Sequence, residues 1–376
     1  MENNNSVAFV GLITEVKEIL NSDNIEQVVV GGWNCIVQKG EYKVGDKVVI
    51  ATTDAIIPIE LSELMGVTNY LRKGQRVRTV KLRGVYSECL LIPFKFLLPK
   101  TLIDNVNEGD DMMNILGIFK YEPPVKQIPL SSGRKIKYHQ NPNFHIYYKF
   151  PNIKNVPDMF NEEDEVVITR KIHGTNSRYG IVKKKKLSIF DRIKKFFGNE
   201  WVEYEYVFGS HNVEKGSESQ GFYDTDVWKT IGEKYDIQNK LWKHVKETFE
   251  VDEMGSGFII YGEIYGSGIQ KNYDYGLTDL KFSGFDVELD GKYVDFVNQT
   301  SHFQTLGLDE VDVLYEGNWS IDKQNEFVFN NFIEGTKVPH EGVVVKHISG
   351  DRKKIGKIIN PDYLIFSEKH NVGDSH

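Results

Sequence analysis

An apolar stretch that ends in a lysine and a tight turn constrains this chain more than any other feature. Residues 166–169 have the β-branched composition of a strand, and Lys171 and Gly174 follow closely. A strand end fixes the position of an amine, and a glycine lets the backbone approach a phosphate-bearing ligand. The segment therefore predicts a lysine nucleophile at a strand end.

Further segments follow in a fixed order, and each joins an apolar run to a polar, charged or aromatic residue. They contain Glu263, Phe285, Glu341, Lys346 and Lys357. Strand-end carboxylates suit a divalent cation such as Mg²⁺ or Mn²⁺, and a phenyl ring beside a glycine offers a face for base stacking. A lysine attacks phosphorus only after losing its proton, which nearby cations favour.

This ordered set resembles the covalent nucleotidyltransferase superfamily of polynucleotide ligases and capping enzymes. The form Lys-x-His-Gly-Thr-Asn, at residues 171–176, resembles its RNA ligase branch, typified by phage T4 RNA ligase 2. The resemblance implies three steps with ATP as cofactor. Lys171 takes AMP from ATP, the AMP moves to a 5′-phosphate end, and a 3′-hydroxyl of RNA displaces it to seal the strand.

The resemblance also implies a role for each matching residue. The implied contacts are Lys346 and Lys357 on the α-phosphate, Glu341 on a metal near the nucleophile, Glu263 on the ribose or the metal, and Phe285 on the adenine. Asn176 and either Ser210 or His211 are implied in the RNA-end steps or in nucleotide binding.

Three positions depart from the pattern of this branch. Arg170 stands where a glutamate often precedes the lysine, and His173 stands where DNA ligases and capping enzymes have aspartate. Ile359 replaces the second lysine of the last motif, and Lys354 or Lys369 is a candidate to compensate for it. The second basic contact is therefore unassigned.

The chain before the lysine motif predicts a small β-barrel. Short apolar segments at 7–10, 27–30, 35–37 and 47–50 are separated by turn residues, which is typical of such barrels. This stretch resembles OB-fold tRNA-binding modules. An OB fold ahead of the ligase segments resembles the Naegleria- and Deinococcus-type RNA ligases.

The fold class that follows is α+β, with an N-terminal OB-fold barrel and a nucleotidyltransferase domain of antiparallel sheets with flanking helices. We assign 1–120 to the OB-fold domain, 121–145 to a linker and 146–376 to the nucleotidyltransferase domain.

Basic residues alternate with apolar ones along 75–87. A strand would place Arg76 and Arg78 on one face, with Lys81 and Arg83 further along. This pattern fits either an RNA-phosphate contact or a solvated sheet face.

Two later segments predict helices. Residues 228–250 have helical spacing of apolar residues, which indicates one or two helices packed on a sheet. The lysine run 183–186 precedes 190–197, which fits a short amphipathic basic helix. That segment predicts either an RNA contact or a solvated hairpin tip.

Composition narrows the class of protein. The net charge is −8 and the pI near 5.8, which argues against nonspecific coating of nucleic acid by the whole surface. No apolar run approaches the ~20 residues of a membrane span. Cys35 and Cys89 lie in apolar segments and are expected to be buried thiols. We expect a cytoplasmic monomer that acts on RNA ends, with a nicked duplex as one candidate substrate and with no membrane or protein partner.

Two other functions share some of these features. A GTP-using RNA capping guanylyltransferase has the same lysine chemistry, but the His-Gly-Thr-Asn form and the N-terminal place of the OB fold argue against it. A nonenzymatic OB-fold RNA-binding protein is the other alternative. It would not need the lysine chemistry, so the presence of every residue of the set argues against it: Lys171, Glu263, Glu341, Lys346 and Lys357.

Overall fold

The computed structural model describes residues 6–96, 106–121, 141–215 and 226–372. These fall into two compact units. The first unit takes its described residues from Met1–Val125, Pro151–Phe160 and Gly356–Lys369. The second takes them from Lys126–Phe150, Asn161–Ile355 and His370–His376. Most of the predicted linker, 121–145, lies outside the described residues, so its limits stay a prediction.

Short strands make up most of the first unit. They are β1 (Ala8–Glu18), β2 (Ile25–Val30), β3 (Trp33–Gln38), β4 (Lys47–Thr52), β5 (Ala55–Ile56), β6 (Val80–Leu82), β7 (Val85–Ser87), β8 (Cys89–Pro93) and β9 (Phe119–Lys120). Two short helices, α1 (Ile59–Leu64) and α2 (Met113–Leu116), lie between them in the chain. The main sheet is antiparallel, in the order β3-β2-β1-β4-β8.

The main sheet curls because its first strand pairs with different strands along its two halves. β1 pairs with β4 along its first half and with β2 along its second. Gly11 lies where the strands bend, and a Cβ atom there would come within 2.7 Å of side-chain atoms of Ile50 and Val30. The N–H of Glu88 donates to the carbonyl of Asn34 at 2.8 Å, which joins the last strand back towards β3. The predicted OB-fold barrel is confirmed, nearly closed and five-stranded.

Both cysteines lie in the core of this barrel. Cys35 and Cys89 are buried and not disulfide-bonded, and the Cys35 thiol donates to the carbonyl of Cys89 at 3.1 Å. The prediction of buried thiols is confirmed.

The second unit contains two antiparallel sheets. Its strands are β10 (Glu165–Lys171), β11 (Thr175–Lys183), β12 (Tyr204–Ser210), β13 (Glu214–Lys215), β14 (Gly257–Gly266), β15 (Leu280–Leu289), β16 (Lys292–Tyr293), β17 (Val313–Asn318) and β18 (Gly342–His347). Six strands form one sheet in the order β13-β12-β11-β14-β15-β16. In the other sheet β10 lies between β17 and β18.

Helices cover one face of the six-stranded sheet. The helices of this unit are α3 (Ile189–Phe196), α4 (Val227–Lys234), α5 (Ile237–Thr248), α6 (Phe296–Leu306) and α7 (Ile321–Val328). Ile231, Leu241 and Phe303 from α4, α5 and α6 are buried against strand residues such as Phe258 and Phe282. The helices predicted for 228–250 and 190–197 are confirmed as two helices and one helix, and α4 and α3 each begin one residue before the predicted range. The predicted fold class is also confirmed.

The opposite face of that sheet carries an aromatic cluster. Tyr147 and Tyr261 are buried there with Phe144, and Phe285 packs against them. This face positions the site residues of β14 and β15.

The last elements return to the first unit. Strand β19 (Ile355–Ile359) lies where the chain passes from one unit to the other, and helix α8 (Pro361–His370) follows it. None of the described helices is both long and apolar enough to cross a bilayer.

Candidate active site

Lys171 and Glu341 are neighbours because the strands that position them lie side by side. Lys171 ends β10, and its register partner in β18 is Gly342, the residue after Glu341. The Lys171 Nζ atom lies 2.6 Å from Oε1 of Glu341. Exposure is 24% for the Lys171 side chain and 11% for that of Glu341. The ion pair is therefore sheltered but can be reached by a ligand.

Glu263, on the six-stranded sheet, interacts electrostatically with Lys171 and Glu341. β11 begins four residues after Lys171 and pairs with β14, so that Asn176 lies opposite Glu263. The pKa of Glu263 is raised to about 8. Burial raises it most, Lys171 lowers it, the charge of Glu341 raises it, and the N–H of Gly174 lowers it. Because of this coupling we call Lys171, Glu263 and Glu341 the lysine–carboxylate cluster.

Gly174 is required by the strand beside it. A Cβ atom on Gly174 would lie 2.3 Å from the carbonyl oxygen of Ile264 and 2.9 Å from Cγ of Glu263. Any other residue would push the turn away from β14. Close packing of the protein itself thus accounts for the glycine that the sequence associated with ligand approach.

An aromatic layer supports the lysine turn. The N–H of His173 donates to the Tyr275 hydroxyl at 2.6 Å, and the His173 ring lies edge-on to Tyr273 with centroids 5.3 Å apart. The Tyr273 hydroxyl donates to the carbonyl of Pro339 at 2.6 Å, two residues before Glu341. Gln270 Nε2 donates to the carbonyl of Gly174 at 2.7 Å.

Sequence analysis did not single out the segment that forms this layer. Its signal is the Gln-x-x-Tyr-x-Tyr pattern at 270–275, just after the glutamate-bearing strand β14. His173 itself is only 5% exposed. The residue that departs from the superfamily pattern is therefore a packed member of this layer.

Lys346 is held by acceptors in the second unit. Its Nζ atom donates to Oδ2 of Asp286 at 3.2 Å, to Oε1 of Gln299 at 3.4 Å and to the carbonyl of Phe285. Burial lowers the pKa of Lys346, and the Asp286 charge opposes that effect. Asp286, Gln299 and Lys346 line one small pocket together with Arg352.

Asp286 joins two cations inside the second unit. Arg352 donates to both of its oxygens, at 2.7 and 3.0 Å, and the Tyr147 hydroxyl donates to Oδ2 at 2.9 Å. Burial alone would raise the pKa of Asp286, but Lys346 and Arg352 hold it below its ordinary value. Sequence analysis assigned no role to Asp286 or Arg352.

Phe285 lies in a β-bulge. Tyr261 pairs with Asp286, whereas the next residue, Gly262, pairs with Gly284, so Phe285 is the extra residue of β15. Its ring is half-buried and lies 5.0 Å from that of Tyr147. The bulge turns Phe285 towards the aromatic cluster on the face opposite the helices.

The residues predicted for the RNA-end steps lie on or beside the six-stranded sheet. The buried Oδ1 of Asn176 has no hydrogen-bond partner among the described residues. Ser210 pairs with Ser177, and its hydroxyl accepts from the N–H of Val213 at 3.3 Å. His211 is half-buried just past β12. Their RNA contacts stay a prediction.

The basic residues predicted for RNA binding in the first unit all have protein partners. These are Arg76 with Asp54, Arg78 with Glu368 at 3.5 Å, Lys81 with Asp362 at 3.5 Å, and Arg83 with the carbonyl of Asn21 at 2.6 Å. Glu368 and Asp362 belong to α8, so the basic stretch holds that helix.

The expected strand through this stretch is wrong for residues 76–79. Arg76 closes a tight turn with Arg72, in which Gln75 has a positive φ of 64°, and the strand starts only at Val80. The alternation nevertheless holds, because Val77 is buried and Arg78 is exposed.

Lys357 belongs to the first unit. Its N–H donates to the carbonyl of Pro151 at 3.0 Å, and its role at the α-phosphate stays a prediction. Of the alternatives, Lys354 contacts Asp164 within the second unit, and Lys369 is exposed on α8.

The Arg170 side chain is held by two neighbouring residues. It forms an ion pair with Asp312 at 2.9 Å and donates to Asn331 at 3.3 Å. These contacts fix its side chain against β17 and the segment after α7.

The carboxylates of the cluster fit a divalent cation bound together with phosphate. The described residues contain no group of three or more His, Cys, Asp or Glu that could hold a metal. Oε2 of Glu341 is nevertheless buried without a partner among them. A cation would satisfy this oxygen and would favour the ionised form of Glu263.

Family models match both parts of the chain. An OB-fold domain model matches residues 7–94, and an RNA ligase model matches residues 164–359, slightly more than half of the 376 residues. The second match contains the lysine–carboxylate cluster and Lys346. No curated protein matches the sequence.

Solved structures of the Naegleria gruberi RNA ligase resemble the chain. A mutant with ATP and Mn is 21% identical with a TM-score of 0.69, and a mutant with AMP and Mn is 22% identical with a TM-score of 0.70. The ligase with PPi is 22% identical with a TM-score of 0.68. Each comparison covers 97% of this chain and 99% of the other, so the likeness in fold extends over both domains.

Proposed function

The chain belongs to the RNA ligase family, and from this membership we propose that it joins 3′-hydroxyl and 5′-phosphate RNA ends with ATP, through lysyl-AMP and an adenylated RNA end. The observation that carries the proposal is the contact of 2.6 Å between the Lys171 amine and Glu341, coupled electrostatically to Glu263.

In the first step the Lys171 amine attacks the α-phosphorus of ATP. A nitrogen–phosphorus bond forms, the bond from phosphorus to the bridging oxygen of the β-phosphate breaks, and pyrophosphate leaves. The attacking amine must lose a proton, and Oε1 of Glu341, at 2.6 Å, is the acceptor we propose.

The next two steps move AMP and then release it. The 5′-phosphate of an RNA end attacks the same phosphorus and displaces the Lys171 nitrogen, which recovers a proton. A 3′-hydroxyl then gives up its proton to solvent, and its oxygen attacks the phosphorus of the 5′-phosphate. The bond from that phosphorus to the bridging oxygen breaks, and AMP leaves with that oxygen. For these steps we propose Asn176 and Ser210 or His211 as contacts of the RNA end or the nucleotide. The buried, unpartnered Oδ1 of Asn176 opposite Glu263 supports this.

Lys346 and Lys357 are the proposed contacts of the α-phosphate. Lys346 has three acceptors in the second unit, and the longest of these contacts is with Gln299 at 3.4 Å. A phosphate oxygen that replaces Gln299 would keep Lys346 in place while offsetting phosphate charge. Phe285 is the proposed stacking partner of the adenine, on the part of its ring that remains accessible.

Glu263 and Glu341 would hold a divalent cation, Mg²⁺ or Mn²⁺. When bound, the cation supplies positive charge beside the phosphates during phosphoryl transfer. The raised pKa of Glu263 and the unpartnered oxygen of Glu341 support this assignment.

The remaining parts of the proposal concern the substrate and the setting. The proposed OB-fold domain is 1–120, the linker 121–145 and the catalytic domain 146–376. The OB-fold domain would bind RNA, and a nicked duplex is one candidate substrate. The buried thiols Cys35 and Cys89 support a reducing compartment, the cytoplasm. We propose a monomeric enzyme.

ATP is favoured over GTP as the nucleotide. Two of the Naegleria gruberi ligase structures contain ATP or AMP with Mn. Their similarity over 97% of this chain favours ligation over the capping reaction.

Labelling with α-labelled ATP and GTP in parallel, with Mg²⁺ or Mn²⁺, tests the proposal. On a denaturing gel we expect covalent label from ATP in the wild type and none in Lys171→Ala. Lys337→Ala is the matched control, because Lys337 is an exposed lysine of the same unit. Sealing of nicked and single-stranded RNA by the same samples then identifies the substrate.

Each other outcome contradicts the proposal. Label from GTP alone would assign capping. Label retained by Lys171→Ala would exclude Lys171 as the nucleophile, and no label in protein that arrives unadenylated would leave an RNA-binding role.

A further inference from the structure

Helix α3 turns an apolar face towards solvent. Five side chains form this face: Ile189, Phe190, Ile193, Phe196 and Phe197. Their exposures are 75%, 76%, 49%, 86% and 80%. The other exposed large apolar side chains of the described residues lie at least four positions apart in the sequence, and single exposed apolar residues are normal on protein surfaces. A contiguous patch on one helix indicates a binding surface.

The apolar face is separated cleanly from charge. At ~100° per residue, the five apolar residues span an arc of about 120° around the helix axis. Asp191, Arg192, Lys194 and Lys195 occupy the rest of the helix circumference. An amphipathic helix of a globular protein normally buries its apolar arc against the core. α3 leaves that arc exposed.

The contacts of the charged side explain this orientation. Lys184, on the strand side of the turn before α3, forms an ion pair with Asp191 at 3.0 Å. Lys195 forms an ion pair with Glu203 at 2.7 Å, just before β12. Both contacts use the charged arc, so the protein holds the helix by that arc and leaves the apolar face outward.

The helix is capped at both ends by its own segment. Ser188 and Asp191 form a capping box at its start. At its end, Gly198 has a φ of +84°, and the N–H groups of Gly198 and Asn199 donate to the carbonyls of Lys195 and Lys194 at 2.9 and 3.1 Å. A preformed helix loses less conformational entropy on binding than a segment that must fold when it binds.

The charge around the apolar face identifies its partner. Residues 183–198 contain seven lysines and arginines and one acidic residue, in a chain with a net charge of −8. The partner must therefore be anionic and must also offer an apolar phase. RNA provides phosphates, and its bases can stack on phenyl rings, but it provides no apolar phase for the aliphatic side chains of Ile189 and Ile193. A second copy of this helix would bring like charges together. The surface of an anionic phospholipid bilayer provides both.

We propose that α3 binds this protein to the surface of anionic phospholipid membranes. The apolar face enters the boundary between headgroups and acyl chains, and Lys183, Lys185, Lys186, Arg192 and Lys194 lie at lipid phosphates. The helix lies along the surface and does not cross the bilayer, because its eight residues are far fewer than the ~20 of a span. The proposal departs from the expectation of no membrane partner.

Vesicle flotation of the full-length protein tests the proposal. The probes are phosphatidylcholine vesicles with and without phosphatidylglycerol. We expect flotation with the anionic vesicles, little with the neutral ones, and weakening at high salt. The double variant Phe190→Glu/Phe196→Glu should lower the lipid partition coefficient more than about tenfold, since each phenyl ring contributes strongly to transfer.

Leu20→Glu/Phe119→Glu is the matched control. It places the same charge at two other exposed apolar residues, with exposures of 84% and 66%, and should float like the wild type. Unchanged labelling by ATP would show that the test variant is folded, independently of the lipid result. Any of three results would overturn the proposal. The wild type does not float, the test variant floats as well as the wild type, or the wild type binds neutral vesicles as well as anionic ones. Weakened RNA binding without any vesicle binding would assign the face to RNA instead.

Discussion

The amine of Lys171 lies 2.6 Å from one carboxylate oxygen of Glu341, and the other oxygen of Glu341 is buried without a partner among the described residues. The first oxygen can accept the proton that the amine must lose. The second remains available for a cation beside the phosphates. In the proposed mechanism Glu341 would therefore link activation of the nucleophile to neutralisation of phosphate charge.

This relationship predicts that Glu341→Gln slows the first step. The amide keeps the shape of the side chain but loses the proton acceptor and the cation ligand. We expect the rate of covalent labelling to fall by ~10²–10⁴-fold. Single-turnover labelling with α-labelled ATP measures that rate directly.

Glu316→Gln is the control for this prediction, because Glu316 is an exposed residue of the neighbouring strand β17. Its labelling rate should equal that of the wild type. A Glu341→Gln rate within a few-fold of the wild type would mean that another group accepts the proton.

Glu263 predicts a pH-dependent stability. Its pKa rises from 4.5 to about 8 in the folded protein. Between those values the folded state keeps a proton that the unfolded state has lost, so the stability contributed by this group is lost as the pH rises. Glu263→Gln cannot ionise and should escape this loss. Relative to the wild type, the variant should gain about 2 kcal/mol between pH 5 and pH 8, a value reduced for partial exposure and for coupling to its neighbours.

Denaturant unfolding at pH 5, 6.5 and 8 without divalent metal checks the sign. The difference between wild type and Glu263→Gln should grow with pH, whereas Glu316→Gln should follow the wild type. Added Mn²⁺ should reduce the difference at pH 8, because a cation favours the ionised Glu263. A difference that is constant with pH would exclude the raised pKa.

Asp286 should support the structure around Lys346. Its carboxylate accepts from Lys346 and from both Nη atoms of Arg352, and it is 1% exposed. Asp286→Asn leaves two cations without their shared counter-charge and should lower the free energy of unfolding by about 3 kcal/mol. Asp23→Asn changes an exposed aspartate and should alter it by less than about 0.5 kcal/mol.

A double-mutant cycle separates this role from general destabilisation. In the background of Lys346→Met, the cost of Asp286→Asn should fall by at least about 1 kcal/mol, because one of the two cations is absent. Additive costs would show that Asp286 and Lys346 do not interact.

The fold could be predicted well from the sequence where local pattern and tertiary structure agree. The short strands of the barrel and the helices within 228–250 have clear periodicity, and both are present. The strand predicted around Arg76 was wrong because the same alternation of residues also fits a turn that packs Val77 inward. A period of two in buried residues did not require a strand.

The site was predictable only for residues that belong to the ordered motifs. Lys171, Glu263 and Glu341 form a cluster because neighbouring strands bring them together. Tyr275 and Arg352 were missed because their roles depend on contacts with distant residues, the turn at His173 and the carboxylate of Asp286. The Gln-x-x-Tyr-x-Tyr pattern marks the segment of Tyr275 but not the residue it contacts, and no spacing around Arg352 indicates Asp286 as its partner.

Arg78 tests the RNA-binding role of the first unit. Its side chain is 38% exposed, and its ion pair with Glu368 is at 3.5 Å, near the limit of such contacts. A surface pair of this kind contributes little, so Arg78→Gln should change the free energy of unfolding by less than about 1 kcal/mol. If Arg78 meets phosphate, the same variant should weaken RNA binding several-fold.

The dependence of RNA affinity on salt gives the sharper readout. Loss of one phosphate contact lowers the slope of log affinity against log salt by about 1. Lys17→Gln is the control, because Lys17 is a 48% exposed lysine of β1 that also has an acidic partner, Glu15 at 2.8 Å. Equal slopes for Arg78→Gln and Lys17→Gln would assign Arg78 to holding α8. A lower slope for Arg78→Gln alone would assign this side of the OB fold to RNA, because only a residue that displaces counterions changes the slope.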